Sequence, residues 1–124
     1  MKQKILLIDD DPLVVKTIKK LVEREDYVID IAKDANEGLK KGKENDFQLI
    51  ICDIRMPEIN GIQLIKKLRE FYRNENKTQI PVIFITGYAN EDAPEEALKL
   101  GAKDYILKPF DIDKLLNSIK SNLA

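Results

Sequence analysis

The chain has 124 residues, of which 44% are hydrophobic and 35% charged, and its 21 basic and 22 acidic side chains leave a net charge of -1. That length fits one domain, residues 1–124, around one core. The composition excludes a disordered chain, the charge balance argues against a nucleic-acid surface, and no apolar run reaches the roughly 18 residues that a membrane span needs. There is no histidine, which excludes imidazole bases, His-based triads and His metal sites. The single cysteine, Cys52, has no internal disulfide partner and reads as a small buried hydrophobe; a reducing, cytoplasmic setting is the expectation.

Residues 4–8 form the first apolar run and predict a strand. It ends in acids without a small-residue cleavage site, so it does not read as a signal peptide. Asp9, Asp10 and Asp11 follow. Pro12 then suits the first helical position behind a capping Asp11. Val14, Ile18, Leu21 and Val22 recur on one face of the helix so begun. Residues 27–32 are β-prone and alternate with polar ones, as a strand near a sheet edge does. Asp34 and Glu37 have the spacing of a capping box. The helix they open is weakly apolar and interrupted by Gly38 and Gly42, so it is expected to be the least firmly packed.

Residues 47–52 are a run apolar on both faces, the pattern of a central buried parallel strand, and Asp53 stands at its end. Pro57 and Gly61 then break regular structure. From Gly61 onward, Ile62, Ile65, Leu68, Phe71 and Tyr72 mark an amphipathic helix, and residues 73–79 read as a polar loop. A second buried strand, 81–85, leads into Thr86 and Gly87. Residues 88–92 are polar. Pro94 belongs in the first turn of the next helix, whose apolar face is expected to be Ala97, Leu98 and Leu100, with Gly101 as its C′ residue. Residues 103–107 predict a fifth strand, ending in Lys108, Pro109 and Phe110. Asp111 caps a last helix with Ile112, Leu115, Leu116 and Ile119 on one face. No repeat, low-complexity tract or linker appears.

Five strand–helix units in strict alternation predict an α/β fold, a parallel sheet with helices on both faces. The flavodoxin-like order 2-1-3-4-5 is the common five-stranded solution. All strand ends then share one edge, the edge where such sheets bind ligands. Asp9 and Asp10, Asp53, Thr86 and Lys108 follow strands one, three, four and five respectively. Three carboxylates gathered there repel, and need positive charge beyond that of Lys108. Carboxylate-rich, all-oxygen ligation suits Mg²⁺. An Asp beside such an ion can act as a nucleophile toward phosphorus, while the ion and Lys108 neutralise the arriving oxygens and Thr86 hydrogen-bonds one of them. Taken singly, the acids also read as plain helix and turn caps.

These residues together carry a resemblance. Ile8-Asp9-Asp10, Asp53-Ile54-Arg55-Met56-Pro57 with Gly61, Ile85-Thr86-Gly87, Lys108-Pro109-Phe110 and the run Gly101 to Tyr105 resemble the motifs of a bacterial two-component response-regulator receiver domain, over essentially the whole chain. The resemblance implies that Asp53 is phosphorylated. It implies that Asp9, Asp10, Asp53 and the backbone carbonyl of Arg55 hold Mg²⁺, and that Thr86 and Lys108 bind the phosphoryl group. It further implies a cis Lys108–Pro109 bond, a switch through Thr86 and Tyr105, and tuning of phosphate loss by Arg55 and Tyr88. The implied partners are a sensor histidine kinase or histidine phosphotransfer protein and a downstream protein or effector domain. Monomer and phosphorylation-dependent homodimer both stay open.

Other readings share parts of this pattern. A haloacid-dehalogenase-type phosphatase needs a second acid two residues after its nucleophile, and Arg55 stands there, so a phospho-acceptor and not a turnover enzyme is expected. A flavodoxin-like cofactor binder needs a Ser/Thr/Gly-rich loop after the first strand, where this chain has three acids. A non-phosphorylated interaction module of the same fold is the remaining alternative.

Overall fold

The computed structural model describes residues 2–87 and 93–123. Among them five strands and five helices alternate: β1 (Lys4–Ile8), α1 (Pro12–Arg24), β2 (Val28–Ala32), α2 (Ala35–Glu44), β3 (Leu49–Asp53), α3 (Gly61–Asn74), β4 (Val82–Thr86), α4 (Ala93–Lys99), β5 (Asp104–Leu107) and α5 (Ile112–Leu123). Every strand pair is parallel and the order is β2-β1-β3-β4-β5, as the alternation predicts. β3 and β4 are buried at every position, which is why their sequences show no polar alternation.

Two-residue periodicity divides the core. Leu6, Ile8, Ile50, Cys52 and Phe84 turn to one face and pack with Ile62, Ile65, Leu68 and Tyr72 of α3. Ile5, Leu7, Leu49, Ile51, Ile83 and Ile85 turn to the other and pack with Ile18, Leu21 and Val22 of α1 and Leu115, Ile119 and Leu123 of α5. Two apolar faces expected from periodicity are corrected. Leu98 is 73% exposed on α4, where Ala97 is buried, and Ile112 is 49% exposed at the start of α5. Leu98 lies toward solvent because a helix turns 100° per residue and Ala97 already faces the sheet; Ile112 opens α5 in a first turn, residues 111–114, that is exposed throughout.

α2 also departs from expectation. It is one unbroken helix, and its glycines are contact points rather than breaks. A Cβ on Gly38 would lie 3.0 Å from Ile8 Cδ1, and one on Gly42 would lie 2.8 Å from Leu68 Cδ2. The missing side chains let α2 settle directly on β1 and α3, so few large apolar residues are needed. Tyr72 fastens the seam: its buried hydroxyl donates to the Gly42 carbonyl at 2.7 Å, one of the last-turn carbonyls that no backbone N–H can reach. Asp34 caps α2 by accepting from the Glu37 N–H at 2.8 Å, whereas the Glu37 carboxylate faces Lys41 at 3.3 Å.

Helix ends show chemistry that the sequence reading did not resolve. Asn60 and Gln63 form the full capping box at α3. Asp26 and Asn76 adopt positive φ, 67° and 54°, after α1 and α3, as Gly101 does after α4 at 75°. In each case the next residue reaches back five positions: Tyr27 N–H to Val22, Lys77 to Tyr72 and Ala102 to Ala97. These are Schellman endings, and Asp and Asn are the non-glycine residues best suited to that conformation.

The Tyr72 contact yields a prediction. Tyr72→Phe leaves the Gly42 carbonyl without its partner and is expected to cost about 1–3 kcal/mol in urea unfolding at neutral pH. Burial raises the Tyr72 hydroxyl from 10.0 to about 12. A group raised on folding stabilises fully below its unfolded value and loses that contribution as pH rises through the folded one. The difference between wild type and Tyr72→Phe should therefore shrink between about pH 10 and pH 12; a constant difference across that window would contradict the assignment.

Candidate functional site

The carboxyl ends of β1, β3, β4 and β5 meet on one edge of the sheet, and the sequence-predicted residues meet with them. Carboxylate oxygens of Asp9, Asp10 and Asp53 lie within 4.8 Å of one another. Asp9 and Asp53 are buried and Asp10 is exposed, so the cluster is a pit with one acid at its rim. Lys108 reaches in from the end of β5. Its Nζ stands 3.0 Å from Asp9 Oδ2 and 3.4 Å from Asp53 Oδ2. The Lys108–Pro109 bond is cis, as the resemblance implied.

Backbone amides fix the acids. The Asp11 N–H donates to Asp9 Oδ1 at 2.9 Å, and the Arg55 N–H donates to Asp53 Oδ1 at 3.3 Å. Asp11 carries a second duty, capping α1 by accepting from the Leu13 N–H at 2.9 Å. Thr86 is buried at the end of β4, one residue beyond Ile85, which stands opposite Asp53 in the ladder; its carbonyl accepts from the Lys108 N–H at 2.7 Å. Among the described residues, a Cβ built on Gly87 would meet nothing within 4 Å.

Gly61 has a larger part than that of a helix breaker. Its N–H donates to the Ile54 carbonyl at 2.7 Å, and a Cβ there would overlap the Asp53 carbonyl. The first turn of α3 thus lies against the backbone of Asp53, and only glycine permits it. The clue in the sequence was limited to the spacing between Asp53 and Gly61. Pro57 lies exposed in the loop between them, and the same loop holds Glu58 at φ 72°. Tyr105 is half-buried on β5 opposite Phe84 and packs against the core face that holds α3. Arg55 is exposed. Tyr88 lies outside the described residues.

Electrostatics follow from this crowding. Burial and the charge of Asp9 raise the Asp53 carboxyl from 3.8 to about 6, against the pull of Lys108. Burial works against the Lys108 ammonium too, but Asp9 and Asp53 outweigh it and hold its pKa above the ordinary value. Burial and the same two acids push the Cys52 thiol well up, so it stays protonated and inert.

A family model, the response regulator receiver domain, matches residues 5–120. The chain belongs to that family. The receiver is 38% identical over 120 residues to the transcriptional regulatory protein ZraR of Klebsiella oxytoca, covering 97% of this chain and 26% of that protein. It is 37% identical over 120 residues to the response regulator ArlR of Staphylococcus saprophyticus, covering 97% of this chain and 52% of that one. The receiver therefore spans between about a quarter and about a half of these relatives. Among solved structures, it superposes on a CheY-like receiver domain protein from Methanospirillum hungatei with a TM-score of 0.89 at 33% identity, over 99% of this chain and 94% of that one. The Francisella response regulator 1452 receiver domain gives 0.85 at 33% identity, over 98% and 97%.

Receiver domains generally bind Mg²⁺ at an acidic pocket, and the residues of this receiver fit such an ion. Asp9 Oδ2 is buried and, although paired in charge with Lys108, is off line for a hydrogen bond with any group. One ammonium faces three carboxylates, and every donor in the cluster is oxygen, the set a hard divalent cation prefers.

The raised Asp53 carboxyl yields a second prediction. A carboxyl that binds its proton more tightly when folded adds stability below its unfolded value, and loses that contribution as pH rises through its folded one. At neutral pH without divalent ions the ionised Asp53 is thus a burden. Asp53→Asn should stabilise the receiver there by on the order of 1–3 kcal/mol in urea unfolding. The gain should fade between pH of about 6 and about 4. No gain at neutral pH would count against the burial of this charge.

Proposed function

We propose that this receiver accepts a phosphoryl group on Asp53, with Mg²⁺ held by Asp9, Asp10, Asp53 and the backbone carbonyl of Arg55. The observation that carries the reading is the single Lys108 ammonium set 3.0 Å from Asp9 and 3.4 Å from Asp53 inside a pit of three acids. When bound, Mg²⁺ would supply positive charge for the phosphoryl oxygens. Asp53, raised only to about 6, is ionised at neutral pH and can attack phosphorus; the acyl-phosphate bond forms as the bond to the donor's leaving group breaks. Lys108 is already placed to meet the incoming negative charge. The hydroxyl of buried Thr86 donates to a phosphoryl oxygen.

Phosphorylation replaces the Asp53 carboxylate by a group of about -2 charge with three acceptor oxygens. Drawing Thr86 toward them frees space that Tyr105 can enter, and the surface of α4, β5 and α5 changes with it. Leu98, Leu107 and Ile112, exposed by 73%, 44% and 49%, give that surface apolar contacts for a downstream protein or effector domain. The donors are a sensor histidine kinase or a histidine phosphotransfer protein, in the cytoplasm. The domain acts as a monomer or as a phosphorylation-dependent homodimer. It is a phospho-acceptor that assists its own phosphorylation and dephosphorylation and not a turnover enzyme. Exposed Arg55, together with Tyr88, screens the attacking water and slows phosphate loss.

The test is intact-protein mass after incubation with Mg²⁺ and acetyl phosphate. One added phosphoryl group is expected, absent with EDTA and absent in Asp53→Asn. Lys108→Met should slow its appearance by about 10²–10³-fold, the scale for removing one preorganised charge donor. Folded, Mg²⁺-binding protein that gains no phosphoryl group from acetyl phosphate or from a phosphorylated histidine donor would instead favour a non-phosphorylated interaction module.

A further inference from the structure

Among the described residues β2 pairs with β1 alone, so it is an open edge of the sheet. The Val28 N–H donates to Gln3 and the Ala32 carbonyl accepts from Asp9, so residues 28, 30 and 32 turn their backbone groups toward β1. Residues 29 and 31 therefore turn theirs outward. At Ile31 neither group is bare. Its N–H donates to Asp30 Oδ1 at 2.9 Å, and its carbonyl accepts from Lys41 Nζ of α2 at 2.6 Å. Lys41 Nζ also donates to the same Asp30 oxygen at 2.8 Å, and Glu37, one turn earlier in α2, faces it at 3.3 Å. Lys41 stays charged, since the hydrogen bond to Asp30 holds its pKa above the ordinary value.

We infer that Asp30 and Lys41 form a clasp that closes the β2 edge against pairing with β2 of a second copy of this chain. The hazard is written in the strand. Val28, Ile29 and Ile31 are β-branched, and Val28 is 39% exposed. An edge of that kind with free backbone groups is a template for another strand. Two copies of one edge are complementary to each other about a two-fold axis, which makes a second copy the partner always at hand. Only residues 29 and 31 present outward groups in the middle of the strand, so capping residue 31 leaves too short a ladder to pair.

The opposite edge repeats the device. The Lys108 N–H points to β4, which turns residue 105 outward. There the Tyr105 N–H donates to Asp104 Oδ1 at 2.8 Å, and Ser118 Oγ of α5 holds Asp104 Oδ2 at 2.7 Å. On both edges an Asp precedes the outward residue, accepts from its N–H and is held by a side chain of the flanking helix. An accidental contact would not be expected at both ends of one sheet.

The experiment compares Lys41→Met and Asp30→Ala with wild type by sedimentation equilibrium across a concentration series, with phosphate donors absent. Lys120→Met serves as control, since it removes an ion pair with Glu25 that involves neither Asp30, Ile31 nor Lys41. Both edge variants should self-associate about tenfold or more tightly than wild type, the step expected for regaining edge hydrogen bonds, while Lys120→Met should not. Amide hydrogen exchange supplies the independent readout. Ile31 should exchange slowly in wild type, and Ile29 should gain protection when the variants associate. Fast exchange at Ile31 in wild type would overturn the clasp. So would folded variants with unchanged association, association shared equally by Lys120→Met, or an associated form that leaves Ile29 unprotected.

Discussion

One ammonium held against two buried carboxylates is the constraint on which this structure turns. Asp9 and Asp53 sit at the ends of adjacent strands, β1 and β3, and their separation is set by the parallel ladder between those strands. Neither acid can retreat, because each is tied to a backbone amide two residues on. Lys108 therefore has to come to them, and the end of β5 delivers it. The remaining imbalance of charge is what raises Asp53 and leaves an oxygen of Asp9 without a hydrogen bond. Stability is given up at this edge to a crowded acidic site, while the apolar interior below carries the fold.

The interior carries it through a strict division of labour. Alternate residues of each central strand serve opposite faces, so a strand such as Leu49–Asp53 must be apolar throughout until it reaches the edge. That accounts for a carboxylate directly following four apolar residues. The helices then pack by different means. α3 uses large side chains, whereas α2 uses the absence of side chains at Gly38 and Gly42.

This contrast explains what could be read from the sequence. The alternation of strands and helices, the strand order and the convergence of Asp9, Asp10, Asp53, Thr86 and Lys108 on one edge follow from period and spacing, which are local signals. α2 misled because glycine reads locally as weakness, and only its neighbour shows whether it marks a break or a close approach. Leu98 and Ile112 misled because a helical stripe has blurred margins. The endings at Asp26 and Asn76 were hidden because a positive φ is a property of the tertiary path as much as of the residue. The overlap that Gly61 avoids with Asp53 lies across a loop, beyond the reach of periodicity.

That loop has a closed outline. Gly61 bonds to Ile54 at one mouth, Asn60 caps the helix, and Asp53 lies against the turn, so the backbone of residues 54–61 is a ring of fixed size. Within the ring Arg55, Pro57 and Glu58 are exposed. The Arg55 side chain can be exchanged without opening the ring, while a single inserted or deleted residue would open it and shift Asp53. The side-chain chemistry of this loop is thus open to substitution and closed to change of length, which separates the parts of this loop free to vary from the part that must be kept.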